Sequence, residues 1–240
     1  MSIRSTRVVV VASALAVAAL VLAGCAPEPT PSSSAAAPPE AASPTPSASS
    51  AEPSLADVDR ISLSVSAFTL YAGETQVAAL STDDATIDTT IDALTEALGA
   101  PETETLAEDD PAQCAQANIT YSWGEALRIV DYTAADPDFD TATIRLLAAT
   151  VPSASGAAVR LEGVGGNAVG DDIATLIEDT PPSDKEGFEV DGVATNTIIL
   201  ERDDRIEDPS GGVWGLAAVA DGSIVSVIGA PMFVNSAADC

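Results

Sequence analysis

Histidine is absent from the 240 residues, and lysine occurs once, at Lys185. Without an imidazole there is no Ser-His-Asp or Cys-His nucleophile activation and no His-ligated metal site. Arg and Lys together number nine against 37 acids, a formal charge of −28. That balance supplies no basic face for a nucleic acid. It also excludes charge-driven docking on anionic headgroups or anionic wall polymers. Aromatic residues make up 4% of the chain, and there are three cysteines. Apolar residues are not scarce: 46% of the chain is hydrophobic, too much for a chain disordered throughout.

The N-terminal stretch has its own pattern. Arg4 and Arg7 precede residues 8–22, a run of Val, Ala and Leu broken only by Ser13. The run has the length of a signal-peptide core and falls short of the roughly 20 residues that span a bilayer. It ends in Leu22-Ala23-Gly24-Cys25. This resembles the lipobox of bacterial lipoproteins. The resemblance implies that 1–24 is a lipoprotein signal peptide removed ahead of Cys25. Cys25 would carry a thioether-linked lipid, and the new amino terminus would often gain a further acyl chain such as palmitate. At about 0.8 kcal/mol per buried CH₂, two acyl chains anchor stably. The expected location is the extracytoplasmic face of the cell membrane. With 45 alanines and a single lysine, the chain is similar in style to lipoproteins of high-GC Gram-positive bacteria.

Residues 25–56 are expected to form a lipid-anchored, disordered linker. The stretch after Cys25 is rich in Pro, Ser and Ala, holds eight of the 16 prolines and has no aromatic residue. Such a segment has nothing with which to build a core. In polyproline II conformation it reaches on the order of 95 Å.

Residues 57–240 are long enough to bury roughly 70% of their unfolded surface. A degenerate repeat runs through them. Ile87, Ile91, Leu94 and Leu98 form an apolar stripe at helical spacing, with Asp83 or Asp84 to cap it, Gly99 at its end and Pro101 beyond. Ile173, Leu176 and Ile177 form a second stripe after Gly170-Asp171-Asp172, closed by Pro181-Pro182. Each stripe is followed by Trp-Gly in a strand-like run, at Trp123-Gly124 and Trp214-Gly215. Strand signals cover 61–70, 75–80, 119–123, 126–131, 157–162, 188–190, 193–200, 213–219 and 224–228. Asp191-Gly192 and Asp221-Gly222 provide hairpin turns. The pattern predicts an α+β fold of two tandem lobes, 57–153 and 154–240, each one helix packed on a three- to four-stranded antiparallel sheet. The spacing of Gly-Asp, helix, Pro and Trp-Gly is similar to tandem-repeat domains of the β-lactamase-inhibitor-protein-like type, with Thr82-Asp83-Asp84 replacing Gly-Asp before the first helix. That resemblance implies a surface that binds proteins.

If Cys25 is lipidated, Cys114 and Cys240 remain as an even pair in an exported chain, so a Cys114–Cys240 disulfide is expected. Closing so long a loop contributes about 4–5 kcal/mol in the chain-entropy model. Two free thiols are the alternative.

Chemistry-bearing motifs are sparse. Gly163-Val164-Gly165-Gly166-Asn167-Ala168 matches the dinucleotide pattern G-x-G-x-x-A but lacks a βαβ context, so a glycine turn is expected. Asp136, Asp138 and Asp140 have the spacing of a calcium loop. Thr141 and Leu147 then stand where that loop needs Gly and Glu. A looser Ca²⁺ site at these residues, or at Asp203 and Asp204, stays open beside the reading of a solvated acidic loop. No G-x-S-x-G is present, and Ser183 sits at the wrong spacing from Lys185 for a Ser-Lys site. Trp123 and Trp214 are expected at equivalent core or sheet-face positions, with exposed stacking platforms as the alternative. The expectation is therefore no catalytic residue, no metal and no cofactor. The expected function is a non-catalytic, inhibitor-like binding module for a protein partner, held at the membrane by the lipid on Cys25. An envelope enzyme using paired carboxylates and a purely structural lipoprotein stay open beside it.

Overall fold

Period-two burial defines the first sheet. Along Arg60–Leu63 (β1), Ile61 and Leu63 are fully buried while Arg60 and Ser62 are half-exposed. Along Ala67–Ala72 (β2), Phe68 and Leu70 repeat the pattern. Such alternation marks a sheet with one covered face. The turn between β1 and β2 is tied by Ser64, whose N–H donates to the Ala67 carbonyl at 2.9 Å. β2 continues antiparallel into Thr75–Ser81 (β3). The free edge of β1 pairs in parallel with Ala158–Gly163 (β9), setting Ile61 opposite Leu161. β9 in turn pairs with Thr150–Pro152 (β8), giving the order β3-β2-β1-β9-β8. These coordinates come from a computed structural model that describes residues 52–82, 87–108, 116–132, 142–190, 192–206 and 211–235.

The second sheet has eight strands and is made of two four-stranded meanders. The first comprises Glu102–Leu106 (β4), Asn118–Trp123 (β5), Leu127–Asp131 (β6) and Thr143–Leu146 (β7). The second comprises Lys185–Val190 (β10), Val193–Arg202 (β11), Val213–Asp221 (β12) and Ile224–Val234 (β13). They join where β13 lies antiparallel to β7, with Ile228 opposite Leu146, Gly229 opposite Arg145 and Ala230 opposite Ile144. The sheet order is β10-β11-β12-β13-β7-β6-β5-β4. Three register shifts interrupt the second meander, between Ile199 and Glu201 on β11 and between Gly215 and Ala217 and between Val219 and Ala220 on β12.

One apolar core joins both sheets. It contains Ile61, Phe68 and Leu161 from the first, and Leu127, Ile144, Ile198, Leu216 and Ile228 from the second. Each such side chain contributes about 1.5–3 kcal/mol when fully buried. The Val65 N–H also donates to the Glu201 carboxylate at 2.8 Å, a polar tie between the loop after β1 and β11. The helix Ile87–Leu98 (α1) adds Ile87, Leu94, Ala97 and Leu98 to this core. Its Thr90 hydroxyl donates to the Ser81 carbonyl at 2.8 Å. Gly99, at φ 90°, ends it in the left-handed conformation that glycine adopts without strain.

This architecture corrects the expected α+β pair of lobes. The fold is mostly β, and its sheets do not divide at residue 153. β9 completes the sheet begun by β1, and β13 completes the sheet begun by β7. The second helix, Ala174–Asp179 (α2), is only six residues and has no fully buried residue. It is too short to cover a sheet face. The repeat survives only as the pair of meanders, and the two tryptophans are not equivalent within it. Trp123 closes the second strand of its meander, whereas Trp214 opens the third strand of the other.

Candidate functional site

Cys25, Cys114 and Cys240 all lie outside the described residues, as do Asp83, Asp84, Asp136, Asp138 and Asp140. The Gly163–Ala168 segment is described, and it is a turn. Val164–Gly166 forms one 3₁₀ turn with Gly165 and Gly166 at φ 77° and 80°. α2 begins only at Ala174, and the Ala174 N–H donates to Asp172 at 2.9 Å. A pyrophosphate therefore meets no open helix terminus after these glycines. Gly163 has a packing reason: a Cβ there would stand 3.1 Å from Ile228 Cγ2.

Asp203 is buried, and both its carboxylate oxygens are already used. Oδ1 accepts from the Arg205 N–H at 3.0 Å and from Arg205 Nε at 2.8 Å, and Oδ2 accepts from Arg205 Nη2 at 2.9 Å. Hydrogen bonding to the Arg205 guanidinium holds the Asp203 carboxyl below its ordinary value, against the opposing effect of burial. Among the described residues, no group of three or more His, Cys, Asp or Glu is placed to hold a metal ion.

Trp123 meets the expectation of a core position. It is 4% exposed, and its indole Nε1 donates to the Gly99 carbonyl at 2.8 Å. That bond fixes the end of α1 to β5. Trp214 differs. It is half-buried, stacks at 4.8 Å and 42° on Phe233 of β13, and forms part of a cavity wall.

The cavity holds about 500 Å³ and lies at the junction of β7 and β13. Trp214, Pro231, Met232 and Phe233 give it an apolar wall, and Gln116, Tyr132, Thr143 and Arg145 give it polar groups. On β7, Ile144 and Leu146 point into the core, so the alternating Thr143 and Arg145 occupy the other face of the sheet. A further apolar cluster, of Ile199, Ala217 and Val234 with Val213 and Met232 packed against it, lies apart from the main core.

Arg145 is the charged group of this cavity. Gly229 lies opposite it on β13 and leaves room for it. A Cβ at Gly229 would stand 2.8 Å from Arg145 Cδ and Nη1, and 2.7 Å from the Ile144 carbonyl oxygen. Arg145 Nη1 donates to that same carbonyl at 2.9 Å. No described carboxylate lies within ion-pair distance of Arg145. Four other described arginines sit on acids, Arg60 and Arg160 on Glu162, Arg202 on Asp184, and Arg205 on Asp203, while Arg128 is exposed. Burial pulls the Arg145 guanidinium below its ordinary value, with attraction to Tyr132 opposing it. An arginine remains a cation through such a change.

Of the residues that line this site, the sequence singled out only Trp214. β7 is four residues long, and its signal was a single cation between two apolar residues, Thr143-Ile144-Arg145-Leu146. The partners that make a cavity of it come from β12 and β13, about 70 to 90 residues further along. No helix among the described residues is long and apolar enough to cross a membrane. No protein-family model, no curated protein and no solved structure matches the chain.

Proposed function

We propose that the chain is a lipoprotein anchored through Cys25 at the extracytoplasmic face of the cell membrane, and that its folded part is a non-catalytic binding module. The observation that carries the binding reading is the cavity at the β7–β13 junction. Its volume of about 500 Å³ lies within the roughly 300–1,000 Å³ of small-molecule sites, and a mostly apolar lining with a few converging polar groups is their usual make-up. Among the described residues its lining contains no acid, serine or cysteine to act as base or nucleophile. Retention of a ligand fits these residues better than its conversion. The protein partner that the inhibitor-like resemblance implied has weaker support. The exposed apolar side chains Phe188 and Val193, 47% and 48% accessible, stand on the β10–β11 edge hairpin.

Two experiments test the proposal. For the anchor, the chain is expressed in a Gram-positive host with Cys25 or with Cys25→Ala, and the membrane fraction is assayed. Retention of wild type and release of the variant is the expected result; equal partitioning overturns the anchor. For the cavity, the full chain in nanodiscs is screened against small aromatic and aliphatic fragments by thermal shift. Fragments that stabilise wild type but not Thr143→Phe, which fills the cavity, support the reading. Fragments that bind both equally, or none at all, overturn it.

A further inference from the structure

We infer that the cavity at the β7–β13 junction takes a monoanionic carboxylate carried on an aromatic body, with Arg145 as the residue that selects it. The inference rests on the proposal that this cavity is the binding site. Four observations converge on it.

The first is the missing counter-ion. This chain has 37 acids against nine bases, and Arg60, Arg160, Arg202 and Arg205 are each paired with a carboxylate. Arg145 is partly desolvated, yet among the described residues only the carbonyl of its own neighbour, Ile144, accepts a hydrogen bond from its side chain. Desolvating a cation without a partner is unfavourable. An incoming anion removes that penalty.

The second is geometry. Nη1 donates to the Ile144 carbonyl, and among the described residues the other donors of the fork have no acceptor and remain for a planar anion. Gly229 keeps the guanidinium in place, since any Cβ there collides with Arg145 and with backbone. The third is the wall. Trp214 and Phe233, 4.8 Å apart, offer aromatic surface beside the charge, and Phe233 is 40% exposed. A ligand ring lying on them gains stacking while its acid reaches Arg145.

The fourth is the count of charges. Arg145 is the one cation among the lining residues. A phosphate monoester, close to dianionic at neutral pH, would leave much of its charge unmatched in an acidic protein, whereas a carboxylate is matched one to one.

The test is calorimetric titration of the full chain in nanodiscs with naphthalene-2-acetate, its primary amide and 2-naphthyl phosphate. The acid is expected to bind about tenfold to a hundredfold more tightly than the amide, the range of a charge-assisted hydrogen-bonded pair. It should also exceed the phosphate and perturb Trp214 emission. Arg145→Gln is expected to bring the acid down to the level of the amide. Equal affinity of acid and amide in wild type overturns the inference while the cavity reading stands. So does an undiminished preference for the acid in a folded Arg145→Gln. A phosphate that binds tighter than the acid overturns the carboxylate assignment. Absence of binding by all three overturns the cavity reading and the inference with it. The acid-to-amide ratio in wild type decides the matter even if Arg145→Gln does not fold.

Discussion

Trp123 and Trp214 are each followed by glycine, and each belongs to one meander of the large sheet. Their surroundings differ in every respect. Trp123 is buried, and its indole closes the end of α1 onto β5. Gly124 beside it occupies a left-handed turn at φ 57°, with open space where a side chain would go. Trp214 lines a cavity, and Gly215 beside it lies against the β11 backbone. A Cβ at Gly215 would stand 2.0 Å from the Glu201 carbonyl oxygen and 3.1 Å from Arg202 Cα. One dipeptide thus serves a backbone dihedral and a core side chain in one meander, and a close strand approach and a cavity wall in the other. A repeated motif says that two segments share a history of composition; it does not say that they share a role.

The largest separation between the two halves is expected from the glycines. Gly215→Ala forces β11 from β12, because every near neighbour is backbone, and is expected to cost about 4 kcal/mol or more. Gly124→Ala meets only dihedral strain, about 1–2 kcal/mol. Urea denaturation of both variants checks the ranking, and equal losses would remove the distinction. Next come the tryptophans. Trp123→Ala empties a core site and is expected to lose about 3–5 kcal/mol. Trp214→Ala should lose less than half of that, since the ring is half-buried, yet it should abolish binding of aromatic acids.

A smaller effect is expected from acid titration of the pair beside the cavity. The Asp203 carboxyl is held below its ordinary value by Arg205. Its stabilising contribution is therefore complete above the unfolded value of about 3.9 and is lost as pH falls through the lower folded value. Wild type should melt above Asp203→Asn at pH 6, and the gap should close as pH falls below about 4. The smallest effect concerns rate. The net charge of −28 repels an approaching anion at long range, while Arg145 acts only at contact. Association of naphthalene-2-acetate should quicken modestly as salt is raised toward 0.15 M, opposite to the trend for a cationic patch.

Much of the local structure was legible in the sequence, and the assembly was not. The stripe Ile87, Leu94, Leu98 with Gly99 matched α1, and strand signals matched β3, β5, β6 and β9, whereas the single run expected over 61–70 divides into β1 and β2 at the Ser64 turn. The glycines of the β10–β11 and β12–β13 hairpins, Gly192 and Gly222, have φ values of 82° and 66° as turn residues do. β4, β7 and β8 escaped notice. β4 reads Glu-Thr-Glu-Thr-Leu, polar on both faces as an edge strand can be, and β7 and β8 have four and three residues. The pairings β1–β9 and β7–β13 join residues about 80 to 100 positions apart, and no local periodicity encodes a partner at that distance. The same separation hid the cavity. Arg145 acquires its meaning from Gly229, Trp214 and Phe233, and alone it was one cation in an acidic chain.

The position of β13 has a kinetic consequence. It is the last described strand in chain order, yet it lies inside the large sheet with β12 on one side and β7 on the other. A nascent or translocating chain can complete local hairpins as they emerge, but the shared interior stays open until residues 224–234 arrive. Contacts of such long sequence separation slow folding. They also favour an all-or-none closure: a chain cut before residue 224 would present two unpaired strand edges at once, along β7 and β12, and unpaired edges are templates for aggregation. The strand that finishes the sheet is the one that keeps both halves from joining other chains.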